Sequence, residues 1–146
     1  MSYYKVLGFL REPFSTSPDP EFFYESREHE TALTNLMIEL RLKRGLSVVL
    51  GDVGTGKTTL SRKLIQLLRA KEDFIFNIIL DPAFESEELF LTKIARNFEL
   101  TPHVLNPTIL DVQEALERFL FRKGIEENKT VVLIIDEAQK LNEVTL

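Results

Sequence analysis

The sequence has 146 residues, which is enough for one domain with a hydrophobic core and too few for two ordinary ones. Its composition, 44% hydrophobic and 28% charged, is typical of a soluble folded protein, and the net charge of −5 excludes a domain-wide basic surface for nucleic acid. The lack of cysteine excludes disulfides, thiolate metal sites and cysteine nucleophiles, and no apolar stretch approaches the roughly 20 residues that span a bilayer.

The first 25 residues are rich in aromatic residues and proline. Pro13, Pro18 and Pro20 exclude regular structure between them, so we predict an irregular N-terminal arm over residues 1–25 whose rings pack against the domain behind it. An arm that also contacts a ligand is the alternative. No secretory signal opens the sequence, so we expect a cytoplasmic chain without membrane contact of its own.

Helical and strand patterns alternate from Ser26 onward, over residues 26–146. Predicted helices cover residues 26–44, 57–68, 90–98 and 108–123, with stops at Gly45 and Gly124 and a capping box of Thr108 with Asp111. Predicted strands cover residues 46–50, 74–80 and 130–135. This alternation predicts an α/β fold, a parallel sheet flanked by helices on both faces.

The strongest motif is Gly51-Asp-Val-Gly-Thr-Gly-Lys-Thr58, which fits G-x-x-x-x-G-K-[ST] between a predicted strand and a predicted helix. Amide groups can surround a phosphate only where side chains do not obstruct the backbone, which explains the glycines. The following helix adds unpaired N–H groups and the positive end of its dipole. We therefore predict a nucleotide phosphate site; a glycine turn with an incidental lysine is the alternative.

The predicted binding residues have different roles. They are Gly51, Asp52, Val53, Gly54, Thr55, Gly56, Lys57, Thr58 and Thr59. We expect Lys57 to bring a mobile positive charge to the terminal phosphates, and thus to serve catalysis as well as binding. Thr58 is expected to place its hydroxyl on Mg²⁺, and Thr59 to hydrogen-bond the α-phosphate.

A second motif is the apolar run 131–135 that ends in Asp136 and Glu137. Ligands of open α/β sheets gather at the carboxyl ends of parallel strands. We expect Asp136 to hold Mg²⁺, usually through water, as the Walker B acid, and Glu137 to polarise an attacking water as a catalytic residue. A strand that ends in a solvated acidic turn is the alternative.

Other polar residues receive structural interpretations. We expect Asp81-Pro82 to close a strand, although it could face the site, and we expect His29 to lie on the surface of the first helix. His103 follows Thr101-Pro102 in a predicted loop and is assigned no role. We interpret the basic residues Arg41, Lys43 and Arg44 as a solvated helix end rather than a phosphate-backbone contact.

Several segments together resemble one family. They are Tyr4-x-x-x-Gly8-Phe9, Pro13-Phe14-Ser15, Ser17-Pro-Asp-Pro20, Phe23-Tyr24, Gly51-Asp-Val-Gly-Thr-Gly-Lys-Thr-Thr59 and Asp136-Glu-Ala-Gln139-Lys-Leu141. With them the sequence resembles the general secretion pathway protein A (ExeA-like) ATPases, which belong to the AAA+ branch of P-loop ATPases. The similarity runs over essentially the whole chain. The nucleotide motifs are shared with many ATPases, so the aromatic and proline-rich arm carries most of the family information.

The resemblance implies more than the motifs do. It implies ATP and Mg²⁺ as cofactors, ATP hydrolysis in the full-length protein, and a role in assembling the secretin channel of type II secretion. It also implies homo-oligomers or contacts with secretion-complex subunits, and a longer protein that can be anchored at the inner membrane. By the same resemblance, residues 20–24 are candidates for contact with the adenine base.

The end of the chain departs from the family pattern. An AAA+ module continues after the Asp136 strand with two strands, a sensor residue, an arginine finger and a helical lid, whereas this chain ends at Leu146. We therefore expect a partial P-loop domain, truncated after that strand, that binds nucleotide with weak or no turnover. In the AAA+ strand order, the strand at residues 46–50 then lacks both neighbours.

Two other functions stay open at this point. A DNA-associated ATPase of the transposition target-selector type would bind nucleic acid, which the net charge of −5 disfavours. A nucleotide-gated binding module without turnover is the second alternative. A small-molecule kinase fits least, because an adjacent Asp136 and Glu137 suit the activation of water.

Overall fold

A computed structural model of the chain describes residues 3–10, 12, 24–100 and 106–141. Its helices are α1 (Tyr3–Val6), α2 (Arg27–Arg41), α3 (Lys57–Arg69), α4 (Glu87–Asn97) and α5 (Ile109–Phe121), and its strands are β1 (Phe74–Ile79) and β2 (Thr130–Ile135). The chain divides into two compact units, Met1–Gln66 and Leu67–Leu146. Within the described ranges, every helix is too short or too polar to cross a membrane.

Helix α2 in the first unit begins where the sequence predicts and ends earlier. The Ser26 hydroxyl accepts a hydrogen bond from the backbone N–H of His29 and caps the helix. The predicted stop at Gly45 is wrong, because the helix ends at Arg41 and Lys43 adopts a left-handed backbone with φ 52°. That conformation closes the last turn, since the N–H of Lys43 donates to the carbonyl of Leu40.

The predicted strand at residues 46–50 is not formed. Leu46 is 83% exposed, Leu50 is 88% exposed, and in the described part of the chain the only strand ladder joins β1 to β2. A β-strand is held by hydrogen bonds to a neighbouring strand, so an apolar run without a neighbour stays irregular.

Helix α3 is amphipathic and confirms the predicted helix, with one more residue at its end. It begins at Lys57, directly after the glycine-rich loop. Leu60, Leu64 and Leu68 follow one another at spacings of four residues and are all buried. This apolar stripe accounts for the helix, and its first residues continue the loop described below.

The second unit is built on a parallel pair of strands, as the alternation of patterns predicts. Phe74 of β1 pairs with Thr130 of β2, and the register continues to Ile79 and Ile135. The N–H of Asp136 donates to the carbonyl of Ile79 at 2.8 Å and extends the pairing past the strand ends. The parallel order requires a long crossover, which α4 and α5 supply.

The crossover helices pack on each other. Ala95 of α4 lies in one apolar cluster with Val112 and Leu116 of α5. Thr108 and Asp111 form the predicted capping box at the start of α5. The side-chain amide of Asn77 donates to the carbonyl of Asn97, which ties the end of α4 to β1.

Helix α5 ends differently from the prediction. It stops at Phe121, and a π-helical turn over Arg122–Glu126 follows, so Gly124 lies inside a turn instead of beyond a helix end. The Glu127 carboxylate receives a hydrogen bond of 2.6 Å from the Lys123 ammonium, and this hydrogen bond lowers the pKa of Glu127. This ion pair joins Lys123, near the start of the π-helical turn, to Glu127, which directly follows its end.

Some predictions fall partly outside the described residues. Of the predicted arm, residues 1, 2, 11 and 13–23 lie outside them, as does His103. Within the arm, Tyr3–Val6 forms one helical turn where we predict irregular structure, and Tyr24 is exposed. The boundary between arm and domain at residue 25 therefore remains a prediction.

Candidate functional site

The loop at residues 51–56 uses backbone angles that favour glycine. Gly54 has φ 82° and Gly56 has φ 88°, both in the left-handed region. Between them, Thr55 folds back on the loop: its hydroxyl and its N–H both donate to the carbonyl of Asp52, at 2.8 and 3.4 Å. The glycines thus permit a turn so tight that one carbonyl accepts two hydrogen bonds from the same residue.

Gly51 is required for a different reason, close approach. A Cβ atom at this position would lie 2.9 Å from the Thr55 hydroxyl oxygen and 3.7 Å from Cδ of Lys57. The missing side chain leaves room for both residues beside the start of the loop. Gly51 is therefore needed for space, and Gly54 and Gly56 are needed for their left-handed backbone angles.

Lys57 is the first residue of α3, and its side chain reaches back over the loop. Its ammonium donates to the carbonyl of Gly51 at 2.8 Å and to that of Asp52 at 2.7 Å. Both carbonyl acceptors are neutral, and an ammonium group binds an anionic oxygen more strongly than a neutral carbonyl oxygen. The positive charge is thus already located at the loop.

The N-terminus of α3 directs further donors to the same place. The N–H of Leu60 donates to the carbonyl of Gly56 at 2.8 Å. The N–H groups of Lys57, Thr58 and Thr59 precede this bond, and so they have no carbonyl of the helix to bind. Unpaired N–H groups at a helix N-terminus, together with the ammonium, form an arrangement suited to a phosphate.

The acidic residues that follow β2 lie in the second unit. Asp136 is half-buried, and its Oδ1 accepts a hydrogen bond of 3.0 Å from the N–H of Glu137. Glu137 is exposed and has a left-handed backbone with φ 54°, and its carboxylate accepts a hydrogen bond from the side-chain amide of Gln139. A left-handed backbone is uncommon outside glycine and marks positions where the chain turns sharply.

Asp136 directly follows β2, and Asp81 lies two residues past the end of β1, so both acidic residues lie at the carboxyl edge of the parallel pair. The Lys140 ammonium lies 3.3 Å from Oδ1 of Asp81. Both side chains are largely exposed, and such a pair contributes about 0–1 kcal/mol. Asp81-Pro82 closes its strand, with Pro82 fully buried, as the sequence predicts.

One residue at the loop has no signal in the sequence. His29, which we predict on the surface of the first helix, is half-buried, and its Nε2 lies 2.9 Å from the carbonyl oxygen of Thr55. The two residues are 26 positions apart, and no local pattern links them. Only the placement of α2 beside the loop reveals the contact.

The predicted site residues thus form two groups. The structure brings residues 51–59 together as one loop and helix start in the first unit, and it places Asp136 and Glu137 side by side after β2 in the second. The roles predicted for them toward nucleotide and Mg²⁺ remain predictions.

Comparison with known proteins places the sequence in a family. Residues 40–146 match the family described as AAA domain, a span that includes both motifs. The chain is also 33% identical over 139 residues to the General secretion pathway protein A of Aeromonas hydrophila. This alignment covers 95% of the chain and 24% of that protein, so the chain spans about a quarter of the relative's length. No solved structure matches the chain significantly.

Proposed function

The chain belongs to the AAA domain family, and from this premise we propose that it binds ATP together with Mg²⁺ through residues 51–59. The observation that carries the proposal is the loop itself. Left-handed Gly54 and Gly56 shape it, and the Lys57 ammonium lies across its mouth. These features suit a chain of phosphates, which requires close backbone approach and positive charge.

The residues fit the group they are proposed to hold. A side chain at Gly51 would fill space that Thr55 and Lys57 occupy, and Gly54 and Gly56 have left-handed backbone angles that side chains disfavour. Backbone N–H groups and the ammonium are donors, which anionic oxygens need. The Thr58 hydroxyl is a hard oxygen of the kind that Mg²⁺ accepts.

For the second unit we propose the roles that its motif predicts. The Asp136 carboxylate is proposed as an oxygen ligand for Mg²⁺, usually through water, and the Glu137 carboxylate as the group that polarises a water for hydrolysis. When bound, Mg²⁺ would neutralise charge on the phosphates. The exposed Glu137 carboxylate, held by Gln139, is open to solvent water.

We further propose that this ATPase serves a bacterial secretion or export system and works as an oligomer or within a secretion complex. The support is 33% identity to a protein named General secretion pathway protein A. Because the chain spans 24% of that protein, the activity and partners of a whole protein are part of the proposal.

Substitution of Lys57 tests the nucleotide site. We expect Lys57→Ala to weaken the binding of fluorescent Mg–ATP at least about 100-fold, since the strongest cationic contact to the phosphates is lost. Lys93→Ala, which removes an exposed lysine of α4, is the matched control and should bind as the unmodified chain does. Equal affinity of the Lys57→Ala and Lys93→Ala variants would refute the site.

A further inference from the structure

His29 joins helix α2 to the phosphate loop within the first unit. Its Nε2 lies 2.9 Å from the carbonyl oxygen of Thr55, and its Nδ1 lies 2.8 Å from the hydroxyl oxygen of Ser26. Ser26 is the N-cap of α2, so the imidazole spans from a helix start to the loop. The residue is half-buried, and both ring nitrogens have a hydrogen-bonding partner.

The partners of the ring assign its protons. A carbonyl oxygen only accepts hydrogen bonds, so Nε2 must carry the proton that goes to Thr55. In the neutral ring, Nδ1 then accepts the hydroxyl proton of Ser26, whose oxygen in turn accepts the backbone N–H of His29 at 3.3 Å. These contacts fix the rotation of the ring, so that Nε2–H points at the loop.

The hydrogen bond to Thr55 also orients the next amide. The carbonyl of Thr55 and the N–H of Gly56 belong to the same trans peptide group, in which the two point in opposite directions. When His29 holds the carbonyl, the N–H of Gly56 points away from the histidine, in the opposite direction within the peptide plane. Gly56 has no side chain to restrict its backbone, so the hydrogen bond from His29 adds a restraint on the rotation of this peptide.

We propose that His29 is a positioning residue of the phosphate loop, which holds the Thr55–Gly56 peptide in the orientation that presents the Gly56 N–H to a bound phosphate. This inference rests on the proposed function of residues 51–59 as the ATP phosphate site. His29 acts through the loop backbone and needs no contact with the nucleotide. The helix that precedes the motif thereby becomes part of the binding site.

Two substitutions of similar size separate the role of Nε2 from that of the whole side chain. The amide nitrogen of glutamine reaches about as far along the side chain as Nε2, so His29→Gln retains a donor for Thr55. Asparagine places its amide near the position of Nδ1 and cannot reach the loop. Glu30→Gln, at the neighbouring exposed position of α2, is the control.

The first measurement needs no nucleotide. The ¹⁵N shift of an amide responds to a hydrogen bond on the carbonyl of the same peptide, so we expect the Gly56 resonance to move in His29→Asn and to stay near its original position in His29→Gln. The second is the Kd for Mg–ATP. Loss of one hydrogen bond predicts about three- to tenfold weaker binding for His29→Asn, with His29→Gln and Glu30→Gln within about twofold of the unmodified chain.

The outcomes separate this inference from the proposed function. An unmoved Gly56 resonance and unchanged Kd in His29→Asn would overturn the inference while ATP binding stands. Equal losses in His29→Asn and His29→Gln would also overturn it, since bulk alone would then matter. Failure of the unmodified chain to bind ATP would refute the proposed function instead, and the Gly56 resonance would still decide whether His29 holds the peptide.

Discussion

At the scale of single residues, the loop depends on glycines, because they have no side chain. Gly51 leaves room for Thr55 and Lys57, and Gly54 and Gly56 take angles that side chains disfavour. The motif could be predicted from the sequence because these requirements for space and backbone angle are local, and they fix which residue types occur at which spacing. The His29 contact could not, because it depends on where α2 lies beside the loop.

Alanine at two glycines should have opposite effects on the free energy of unfolding. Gly54→Ala strains a left-handed backbone and should cost about 1–2 kcal/mol. Gly124→Ala meets no atom within 4 Å and no left-handed φ, so it should stabilise the chain by about 0.4–1 kcal/mol through the unfolded state. Urea unfolding of both variants measures this. A Gly54→Ala protein as stable as the Gly124→Ala protein would contradict the description of the loop.

Glu137→Gln should separate binding from hydrolysis. The amide keeps the shape of the side chain but cannot accept a proton from water, so any ATP turnover should fall about 10²–10⁴-fold with little change in Mg–ATP affinity. Phosphate release from the chain, or from a longer form that contains it, measures this. Glu126→Gln, at an exposed glutamate, is the control. Undiminished turnover in Glu137→Gln would remove Glu137 from the proposed chemistry.

At the scale of elements, the starts of α2 and α5 were more predictable than their ends, whereas α4 begins at Glu87, three residues before its predicted start. Ser26 and Thr108 cap helices through their own side chains, which is a local property of the sequence. The ends of α2 and α5 depend instead on a left-handed lysine and on a π-helical turn, neither of which glycine spacing reveals. The run at residues 46–50 has the composition of a strand and lacks a partner strand among the described residues, and composition alone cannot supply one.

The capping box of α5 predicts a specific dependence of stability on pH. The hydroxyl and the N–H of Thr108 donate to Asp111 and lower the pKa of its carboxyl below the ordinary 3.8. The folded state therefore favours the charged form. Its contribution is complete above the ordinary pKa and is lost as the pH falls through the lowered one.

Asp111→Asn tests this dependence by removing the titrating group. Thermal unfolding between pH 7 and pH 2 should show the unmodified chain losing its advantage over Asp111→Asn as the pH falls. Glu114→Gln, which changes an exposed carboxylate of the same helix outside the capping box, is the control. A constant difference between the Asp111→Asn protein and the unmodified chain across this range would contradict the role of the Asp111 charge.

At the scale of the whole molecule, the family match and the loop support the same function. The AAA domain match begins at residue 40, within α2, and extends over both motifs. The net charge of −5 gives no general attraction for nucleic acid, so the DNA-associated alternative would need a local basic patch. The secretion context depends on the relative's name and stays a proposal.

That alternative makes a separate prediction. A DNA-associated ATPase should be retained on immobilised duplex DNA when ATP is present, with retention that falls steeply as salt rises. We expect no ATP-dependent retention of this chain at about 50 mM salt. The same retention assay without ATP provides the control. Salt-sensitive retention that requires ATP would favour the DNA-associated function over secretion.

The phosphate loop itself can be tested by following the glycine amides during titration with Mg–ATP. The chain has six glycines, of which Gly51, Gly54 and Gly56 lie in the loop and Gly8, Gly45 and Gly124 do not. We predict that the three loop resonances shift together with a single Kd, while the other three move little. Unchanged loop glycines at saturating Mg–ATP would contradict the central claim that residues 51–59 bind the nucleotide.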